Sequence, residues 1–258
     1  MDAVTRDRFI KGDGTAADAW AGDAALAGVA SAGVEELVPP GARLVLVAPH
    51  PDDEILACGG LLQLSGSRPA LLVAVTDGEA SHPGSRDWPP EKLRATRPEE
   101  TLAALACLGI TKPKVQRMGI SDGGVTVAEA ALAQRLQELI APNDVVITTW
   151  RYDGHPDHEP TARACLLAAA ARGARTLEVP VWGWHWSAPR DGAMPLAHAR
   201  KLHLPDAVLA RKRAAKACFH SQVLPDASRG AAPVVPAQAL ERILMPFELY
   251  FHDPARPF

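Results

Sequence analysis

The chain has 258 residues, 47% of them hydrophobic and 22% charged, which is the balance of a protein that buries a sizeable core. Its formal net charge of −3 excludes the strongly basic surface that binds nucleic acid or anionic membranes. No apolar run reaches the roughly 18 residues that span a bilayer, and the N-terminus lacks the apolar core of a secretory signal. We therefore predict a single cytoplasmic domain over residues 1–258, without a transmembrane segment, whose ligand is a small molecule.

Four cysteines lie far apart in the sequence, at Cys58, Cys107, Cys165 and Cys218. They form no C-x-x-C pair, which argues against a zinc site built from thiolates and against a disulfide framework. We expect all four to be small buried residues in a reducing compartment.

The first predicted elements are a helical segment and three strands. Residues 1–40 are rich in alanine and end in Pro39-Pro40-Gly41, which predicts a helical lead-in that stops before the first strand. Short, continuous apolar runs rich in β-branched residues are typical of strands covered on both faces. Such runs occur at residues 43–48, 70–76 and 144–149.

Helical patterns separate these strands. Leucines at helical spacing predict helices over residues 91–108, in which Pro98 should cause a kink or a break, and over 127–140, with a weaker strand at 114–118 between them. Alternating strands and helices indicate a parallel sheet with helices on both faces. The predicted fold class is therefore a three-layer, Rossmann-like α/β fold with a mostly parallel β-sheet.

The C-terminal third gives weaker signals. Three further elements are predicted, a strand, a basic helix and a last ordered segment, at residues 178–186, 207–222 and 241–251. The period of two along a strand places Trp182, Trp184 and Trp186 on one side. Such a row of indoles either stacks against a sugar or packs in the core, and the sequence leaves both open.

Two clusters of polar residues follow strands of the predicted sheet. The first cluster, His50-Pro51-Asp52-Asp53-Glu54, comes directly after the strand at 43–48. The second cluster, His155-Pro156-Asp157-His158, begins six residues beyond Thr149, where the strand at 144–149 ends. In an open parallel sheet, ligands bind at the C-terminal ends of the strands. We therefore expect both clusters at the same crevice.

The spacing within the clusters favours a metal site. A separation of three residues, as between His50 and Asp53, puts two side chains on one face of a helical turn. Together with His158 they supply two imidazoles and one carboxylate, which suits a catalytic zinc with one open position. Iron or cobalt accepts the same ligands, so the sequence leaves the metal open.

The remaining polar residues of the clusters have candidate roles in hydrolysis. Asp52 is adjacent to a proposed ligand but points elsewhere, so it is the candidate general base that takes a proton from the attacking water. His155 is the candidate that stabilises the oxyanion or hands a proton to the leaving amine. Asp157 is a candidate acceptor for the N–H of a ligand imidazole.

Each cluster also has a purely structural interpretation. Pro51-Asp52-Asp53-Glu54 is a good helix start, with acidic residues in the first turn. The second cluster can be a loop with incidental histidines. Because two such clusters both follow strands, the metal site is favoured over coincidence.

The two clusters resemble the motifs of a known family. The stretch from Ala48 to Glu54, followed by Gly59-Gly60 and later by Gly154-His-Pro-Asp-His158, is similar to the PIG-L or LmbE-like deacetylases, which act on N-acetylglucosamine groups. The resemblance extends from about Arg43 to Gln222 and implies a zinc-dependent N-deacetylase of an amino sugar. His50, Asp53 and His158 match the family's metal ligands. Asp52 matches its general base, and His155 matches the residue that assists at the oxyanion.

Weaker matches extend the resemblance. Arg97 matches a family arginine that contacts substrate, and Asp122 matches an aspartate that binds sugar hydroxyls, although both also fit ordinary roles on a helix and in a turn. Ser221-Gln222 resembles a C-terminal signature that we take to be structural. Where some members carry a tyrosine that polarises the carbonyl, this chain has Asp153, with Tyr152 next to it.

Three alternatives differ in class or in substrate. A Rossmann-like nucleotide-binding module without hydrolytic activity requires a glycine-rich phosphate loop after a strand, and neither G-x-G-x-x-G nor a P-loop stands there. A zinc-binding protein that has lost catalysis is disfavoured because Asp52 and His155 are both present. A deacylase of a non-sugar amide, such as an N-acyl metabolite or an antibiotic, stays open, because loops such as 77–96 and 186–206 select the substrate. The oligomeric state is equally open.

Overall fold

The structure, a computed structural model, describes residues 7–252. The strands in these residues are β1 (Leu44–Ala48), β2 (Ala70–Ala74), β3 (Lys114–Arg117), β4 (Val145–Thr149), β5 (Arg175–Val179), β6 (Ala199–His203) and β7 (Phe247–His252). The helices are α1 (Ala17–Ala21), α2 (Ala24–Ala27), α3 (Val34–Leu37), α4 (Asp53–Leu64), α5 (Pro90–Cys107), α6 (Val125–Leu139), α7 (His158–Arg172), α8 (Gly183–Trp186), α9 (Asp206–Ala217), α10 (His220–Val223) and α11 (Ala237–Ile243). Within the described part of the chain, none of these helices combines the length and the apolar character needed to cross a bilayer.

The strands form one sheet in the order β3-β2-β1-β4-β5-β7-β6. Strands β1 to β5 pair in parallel, whereas β7 runs antiparallel to its neighbours β5 and β6. The chain moves outward from β1 to β3 and then returns to the other side of β1 with β4. This reversal opens a crevice between the C-terminal ends of β1 and β4, which is where α/β sheets bind ligands.

Alternate residues of the central strand face two different helical layers. Leu44 and Leu46 of β1 belong to the core that includes residues of α4, α5 and α9, whereas Val45 and Val47 pack with residues of α6 and α7. All four side chains are buried, which explains the unbroken apolar run. The predicted three-layer α/β fold with a mostly parallel sheet is therefore confirmed. That residues 1–258 form one domain stays a prediction.

Several predicted elements differ in detail from those observed. Helix α5 runs through Pro98 without a break. The predicted helix at 207–222 is divided into α9 and α10, because Phe219 leaves helical geometry with ψ at 64°. The segment at 241–251 contains the end of α11 and most of β7. Of the predicted helical lead-in, residues 1–6 lie outside the described residues, and the rest contains the short helices α1 to α3.

The strand predicted at 178–186 is wrong beyond Val179. Pro180 has no N–H to donate to a neighbouring strand, so the sheet pairing of β5 ends there. The carboxylate of Asp153 then accepts hydrogen bonds from three successive backbone N–H groups, those of residues 181, 182 and 183, at 2.9, 3.0 and 2.8 Å. These bonds hold the turn that begins α8.

The three tryptophans around α8 consequently form no row. Trp184 is buried against Trp20, with ring centroids 5.2 Å apart, and Trp186 stacks on Trp150 at 5.7 Å. Of the three, Trp182 alone borders the cavity at the C-terminal ends of β1 and β4, which we call the site cavity. A row of indoles facing a sugar is therefore wrong, and one indole is left as a candidate.

A buried ion pair supports the far half of α4. The helix is interrupted at Cys58, which has φ −144° and ψ 27°. Glu248 of β7 accepts hydrogen bonds from two backbone N–H groups just beyond this interruption, at 2.7 and 2.8 Å. Lys212 of α9 donates to the carbonyl of Leu56 at 2.9 Å and to Glu248 at 2.6 Å. A Cβ at Gly60 would lie 2.3 Å from Cδ2 of Leu204 and 3.0 Å from Oε1 of Glu248, so any larger residue there would displace Leu204.

Removal of Glu248 tests how much this ion pair stabilises the fold. We expect Glu248→Ala to lower the free energy of unfolding by about 3–5 kcal/mol, because the Lys212 ammonium is then buried without its partner. Urea unfolding followed by circular dichroism measures the change. The control, Glu129→Ala, removes the exposed pair with Arg163 and should change the free energy by less than about 1 kcal/mol. Equal losses in the two variants would contradict a special role for the buried pair.

Candidate metal centre and active site

The first and second clusters meet at the crevice between β1 and β4. The Oδ2 atom of Asp53 lies 3.3 Å from Nδ1 of His50 and 3.2 Å from Nε2 of His158. Two ligands of one tetrahedral zinc lie about 3.3 Å apart when each bond to the metal is about 2.0–2.1 Å long. The Asp53 carboxylate is thus brought within reach of both imidazoles, and the binding of one metal ion by all three residues stays a prediction.

The first cluster forms a strained turn at the start of α4. Asp52 precedes the first residue of the helix and has φ 115°, in the region that favours glycine. Its carbonyl accepts the N–H groups of Ile55 and Leu56, and the Asp53 carboxylate accepts the N–H of His50 at 3.0 Å. Backbone strain of this kind is concentrated at functional sites, where surrounding contacts maintain it.

Carboxylates face both ring nitrogens of His50. While Nδ1 faces Asp53, Nε2 lies 3.2 Å from Oδ2 of Asp157 and 3.3 Å from Oδ1 of Asp122. Asp157 is fully buried and also accepts the N–H of Gly123 at 2.7 Å, so its position is fixed. Asp157 therefore lies where an acceptor for a ligand imidazole is expected. Asp122, predicted to bind sugar hydroxyls, borders the site cavity and reaches the same nitrogen.

His158 is oriented by Asp153, a residue to which the sequence analysis assigned no role. Nδ1 of His158 lies 2.7 Å from Oδ2 of Asp153, which is fully buried. The nitrogen that does not face Asp53 is therefore held by a carboxylate, an arrangement that fixes the tautomer and orientation of metal-binding histidines. The only signal in the sequence was an acidic residue five positions before His158. The spacing of Asp153 and His158 matches neither the repeat of a helix nor that of a strand, because the chain between them forms a turn.

Tyr152 contributes no phenol to the site. Its ring packs against Trp150, with centroids 5.8 Å apart, and the guanidinium of Arg8 lies 5.4 Å from its centre. Tyr152 is not among the residues that border the site cavity. The neighbouring Asp153 is anchored to the start of α8, which keeps Tyr152 away from the site cavity.

The electrostatic field of the site favours positive charge. Burial lowers the pKa of His158, but Asp53 and Asp153 outweigh it and raise that pKa to about 9. Burial also lowers the pKa of His50. Hydrogen bonds to Asp122, Asp157 and Asp53 outweigh this effect and raise the pKa of His50 well above its usual value. Burial raises the pKa of Asp53, but the two imidazoles hold it well below its usual value. A field that favours protonated imidazoles also attracts a metal cation.

Asp52 and His155 have opposite electrostatic properties. Burial raises the pKa of Asp52 to about 7, against the opposing charge of Arg97. Burial and the neighbouring His158 lower the pKa of His155 to about 2, so this imidazole is neutral. Nδ1 of His155 accepts the backbone N–H of Asp157 at 3.2 Å, which assigns the ring proton to Nε2. The site thus holds a carboxyl suited to proton transfer and a neutral N–H donor.

His50 belongs to two groupings of possible metal ligands, neither of which includes Asp53. One adds His155 and His158, the other adds Asp122 and Asp157, and each has ligand atoms all within 4.8 Å of one another. We favour Asp53 and His158 as the partners of His50 in one site. Nδ1 of His155 is already engaged by a backbone N–H, whereas Asp53 lies within 3.3 Å of both other imidazoles.

Arg97 is buried between the loops that follow β1 and β2. Its Nη1 donates to the carbonyl of Gly78 at 2.8 Å, and its Nη2 donates to the carbonyl of Pro51 at 2.5 Å. Gly78 has φ 65°, and a Cβ there would lie 1.7 Å from Nη1, so only glycine permits this contact. Nη2 also lies 3.6 Å from Oδ2 of Asp52. Arg97 therefore holds the loop that carries Asp52, and its predicted contact with substrate stays a prediction.

The site cavity has a volume of about 290 Å³ and two chemically different sides. The polar side includes Asp52, Asp122, His155 and Ser81. The apolar side consists of Leu56, Val181, Trp182, Val234, Val235 and Ile243. The loop at 77–96 contributes to the border as expected, but no residue of 186–206 does. Segment 234–243, which the sequence analysis did not single out, takes that place.

Gln222 also borders the site cavity, and its neighbour Ser221 is held by α5. Oε1 and Oε2 of Glu100 accept the N–H and the hydroxyl of Ser221 at 2.8 and 2.6 Å. The Ser-Gln pair therefore combines a structural serine with a glutamine at the cavity.

A family model described as PIG-L, GlcNAc-PI de-N-acetylase, matches residues 45–169. Both polar clusters lie inside this range. This part of the chain, slightly less than half of its length, is similar to the PIG-L family. Segments 181–182 and 234–243, which form most of the apolar side of the site cavity, lie outside the matched residues.

Curated relatives of this chain include two proteins named 1D-myo-inositol 2-acetamido-2-deoxy-alpha-D-glucopyranoside deacetylase. The one from Mycolicibacterium gilvum (strain PYR-GCK) is 31% identical over 195 residues, which cover 64% of this chain and 65% of the relative. The one from Mycolicibacterium vanbaalenii is 30% identical over 196 residues, which cover 64% of this chain and 66% of the relative. The chain thus spans slightly less than two thirds of the length of these relatives.

Two solved structures are similar in fold to this chain. A zinc-inhibited form of the teicoplanin deacetylase Orf2 superposes with a TM-score of 0.61 at 17% identity, covering 83% of this chain and 100% of that chain. The conserved protein TT1542 from Thermus thermophilus superposes with a TM-score of 0.52 at 26% identity, covering 70% of this chain and 80% of that chain. These similarities, together with the sheet order, show that this chain has the same α/β fold as the two solved structures.

The contact between Asp153 and His158 predicts an effect on metal binding. We expect Asp153→Asn to weaken zinc binding about 10- to 100-fold, because the amide no longer fixes the imidazole by a charged hydrogen bond. Competition with a chromophoric chelator measures the affinity, and circular dichroism checks the fold. Asp18→Asn changes an exposed aspartate in the same way and should leave the affinity unaltered. Unchanged zinc affinity in a folded Asp153→Asn variant would show that Asp153 does not support the ligand.

Proposed function

We propose that this protein is a zinc-dependent N-deacetylase, a hydrolase that removes the acetyl group from the nitrogen of an amino sugar or a related small molecule. The observation that carries the proposal is the meeting of His50, Asp53 and His158 beside Asp52 and His155 at one cavity. The names of the curated relatives support an acetamido sugar as substrate. A cytoplasmic location and a single domain over residues 1–258 are further parts of the proposal.

Two imidazoles and one carboxylate fit a catalytic zinc, which takes three such protein ligands and keeps one position open. Because imidazole and carboxylate ligands also suit other first-row metals, the set also accepts iron or cobalt. When bound, the metal polarises the amide carbonyl and lowers the pKa of a water molecule. In this chain, His50, Asp53 and His158 would hold the metal.

Asp52 accepts the proton of the attacking water in this proposal. Its carboxyl is buried and has a pKa of about 7, close to the pH at which a general base is most effective. Arg97, with Nη2 3.6 Å from Oδ2, favours the ionised form. The water O–H bond breaks as its oxygen adds to the carbonyl carbon. The carboxyl of Asp52 then holds this proton and delivers it to the nitrogen when the C–N bond breaks, so that acetate and an amine leave.

His155 assists at the carbonyl oxygen as a neutral donor. With its pKa near 2, the imidazole does not supply an imidazolium. Because Nδ1 accepts the backbone N–H of Asp157, Nε2 is free to donate its hydrogen to the oxygen that gains negative charge. A donor fixed in advance in a buried site stabilises that charge without reorganisation.

The two sides of the site cavity support a sugar as substrate. A sugar ring presents hydroxyls at its edge and C–H groups on its face. Asp122 on the polar side accepts hydrogen bonds from hydroxyls, and Trp182 on the apolar side offers an aromatic face. A non-sugar amide with an apolar group is the second candidate, because Val234, Val235 and Ile243 extend the apolar side.

Replacement of Asp52 tests the reaction. We expect Asp52→Ala to retain zinc and to lower kcat/KM for amine release at least about 100-fold, because a general base contributes roughly 10²- to 10⁴-fold. Metal content is measured by mass spectrometry of the metal, and free amine by a fluorogenic reagent. The substrates are a panel of N-acetyl amino sugars and of non-sugar N-acyl amides. Removal of the metal by a chelator should abolish amine release, and added zinc should restore it.

Asp18→Ala is the matched control and should keep both zinc and activity, because Asp18 is exposed and lies outside the site cavity. Full activity of Asp52→Ala rules out its role as the base. A zinc-loaded wild-type protein that releases no amine from any substrate contradicts the deacetylase proposal. Release from the non-sugar amides alone favours the second candidate.

Replacement of Trp182 tests the aromatic face. We expect Trp182→Ala to raise KM for the best N-acetyl sugar about 3- to 10-fold with a smaller change in kcat, because stacking contributes roughly 0.5–1.5 kcal/mol beyond simple burial. Steady-state kinetics of amine release measure both constants. Trp88→Ala removes a half-buried indole that does not border the site cavity and serves as the control. An unchanged KM in Trp182→Ala contradicts a contact between the indole and the sugar.

A further inference from the structure

Two cysteines that are distant in sequence meet at the ends of neighbouring helices. Cys107 is the last residue of α5, and Cys218 directly follows the last residue of α9. Their sulfur atoms lie 3.5 Å apart, although 111 positions separate the residues in the chain. The expectation that all four cysteines are buried is wrong here. Cys107 is exposed and Cys218 is half-buried, whereas Cys58 and Cys165 are buried.

We propose that Cys107 and Cys218 form a reversible intramolecular disulfide by exchange with a low-molecular-weight disulfide. The bond length in a disulfide is about 2.05 Å, so the two sulfurs have to approach by roughly 1.5 Å. Both cysteines stand at helix ends, which fray more readily than helix interiors, so rotation of the side chains and small backbone shifts can bring the sulfurs together. Cys218 in particular belongs to the short link between α9 and α10.

The exchange balances in two steps. The thiolate of the exposed Cys107 attacks the small disulfide, forms a mixed disulfide and displaces one small thiol. The thiolate of Cys218 then attacks the Cys107 sulfur, which closes the protein disulfide and releases the second small thiol. The two cysteines lose two protons and two electrons, and the small disulfide is reduced to two thiols. Burial and the neighbouring Cys107 raise the pKa of Cys218 to about 11, so the second step becomes faster as the pH rises.

The disulfide would join α5 to the end of α9, close to a contact between α5 and α10 beside the site cavity. Glu100 of α5 holds Ser221 of α10, which precedes Gln222 at the cavity border. The new bond closes a loop of 111 positions, and Glu100 and Ser221 lie just outside the two ends of that loop. A crosslink between such distant residues stabilises the folded state mainly by restricting the unfolded chain. The proposal is independent of the proposed reaction, because no member of the two polar clusters takes part in it.

The test is to incubate the wild-type protein with oxidised glutathione at pH 8, alkylate the free thiols, digest the chain and identify the peptides by mass spectrometry. We expect a linked peptide pair that contains Cys107 and Cys218, and loss of two hydrogens from the intact chain. Cys58 and Cys165 serve as internal controls and should react only after unfolding. The midpoint of thermal unfolding should rise by roughly 5 °C or more and return to its first value with dithiothreitol.

Single substitutions separate the two steps. Cys218→Ser should stop at the glutathione adduct on Cys107, and Cys107→Ser should give no crosslink and no rise in the unfolding midpoint. Three outcomes in the wild type overturn the proposal: a stable adduct on Cys107, a disulfide between two chains, or thiols that stay unmodified.

Discussion

The carboxylate of Asp53 lies within hydrogen-bond distance of two imidazoles that come from distant parts of the chain. Behind these imidazoles lie two more buried carboxylates, Asp153 and Asp157. So many negative groups are unfavourable in a protein interior unless positive charge lies among them. The raised pKa values of His50 and His158 express this requirement, and a divalent cation meets it more completely than protons do.

The remainder of the fold maintains this arrangement. The reversal of strand order between β1 and β4 brings the two clusters to one crevice. The turn before α4 keeps Asp52 in an unfavourable backbone conformation, and Arg97 fixes the same loop through the carbonyl of Pro51. At the interruption of α4, Glu248 and Lys212 satisfy the backbone groups that the helix leaves unpaired. Contacts on both sides therefore hold the segment that carries two of the three candidate ligands.

Much of this structure could be predicted from local patterns. Buried parallel strands need continuous apolar runs, so β1, β2 and β4 were recognisable, and the polar residues that follow β1 and β4 indicated the site. The turn at Trp182 was not recognisable, because the group that caps it, Asp153, belongs to a segment almost thirty residues earlier. The apolar wall at 234–243 and the meeting of Cys107 with Cys218 likewise depend on packing between distant segments, for which a single sequence has no period or spacing.

The position of β7 has a consequence for the order in which the sheet can form. Strand β6 precedes β7 in the chain, yet β7 lies between β5 and β6 in the sheet. During synthesis, β6 therefore leaves the ribosome before the strand that connects it to the others has been made. Glu248, which lies on β7, reaches α4 equally late. The nascent chain consequently contains both polar clusters well before the helix beside them has its full support.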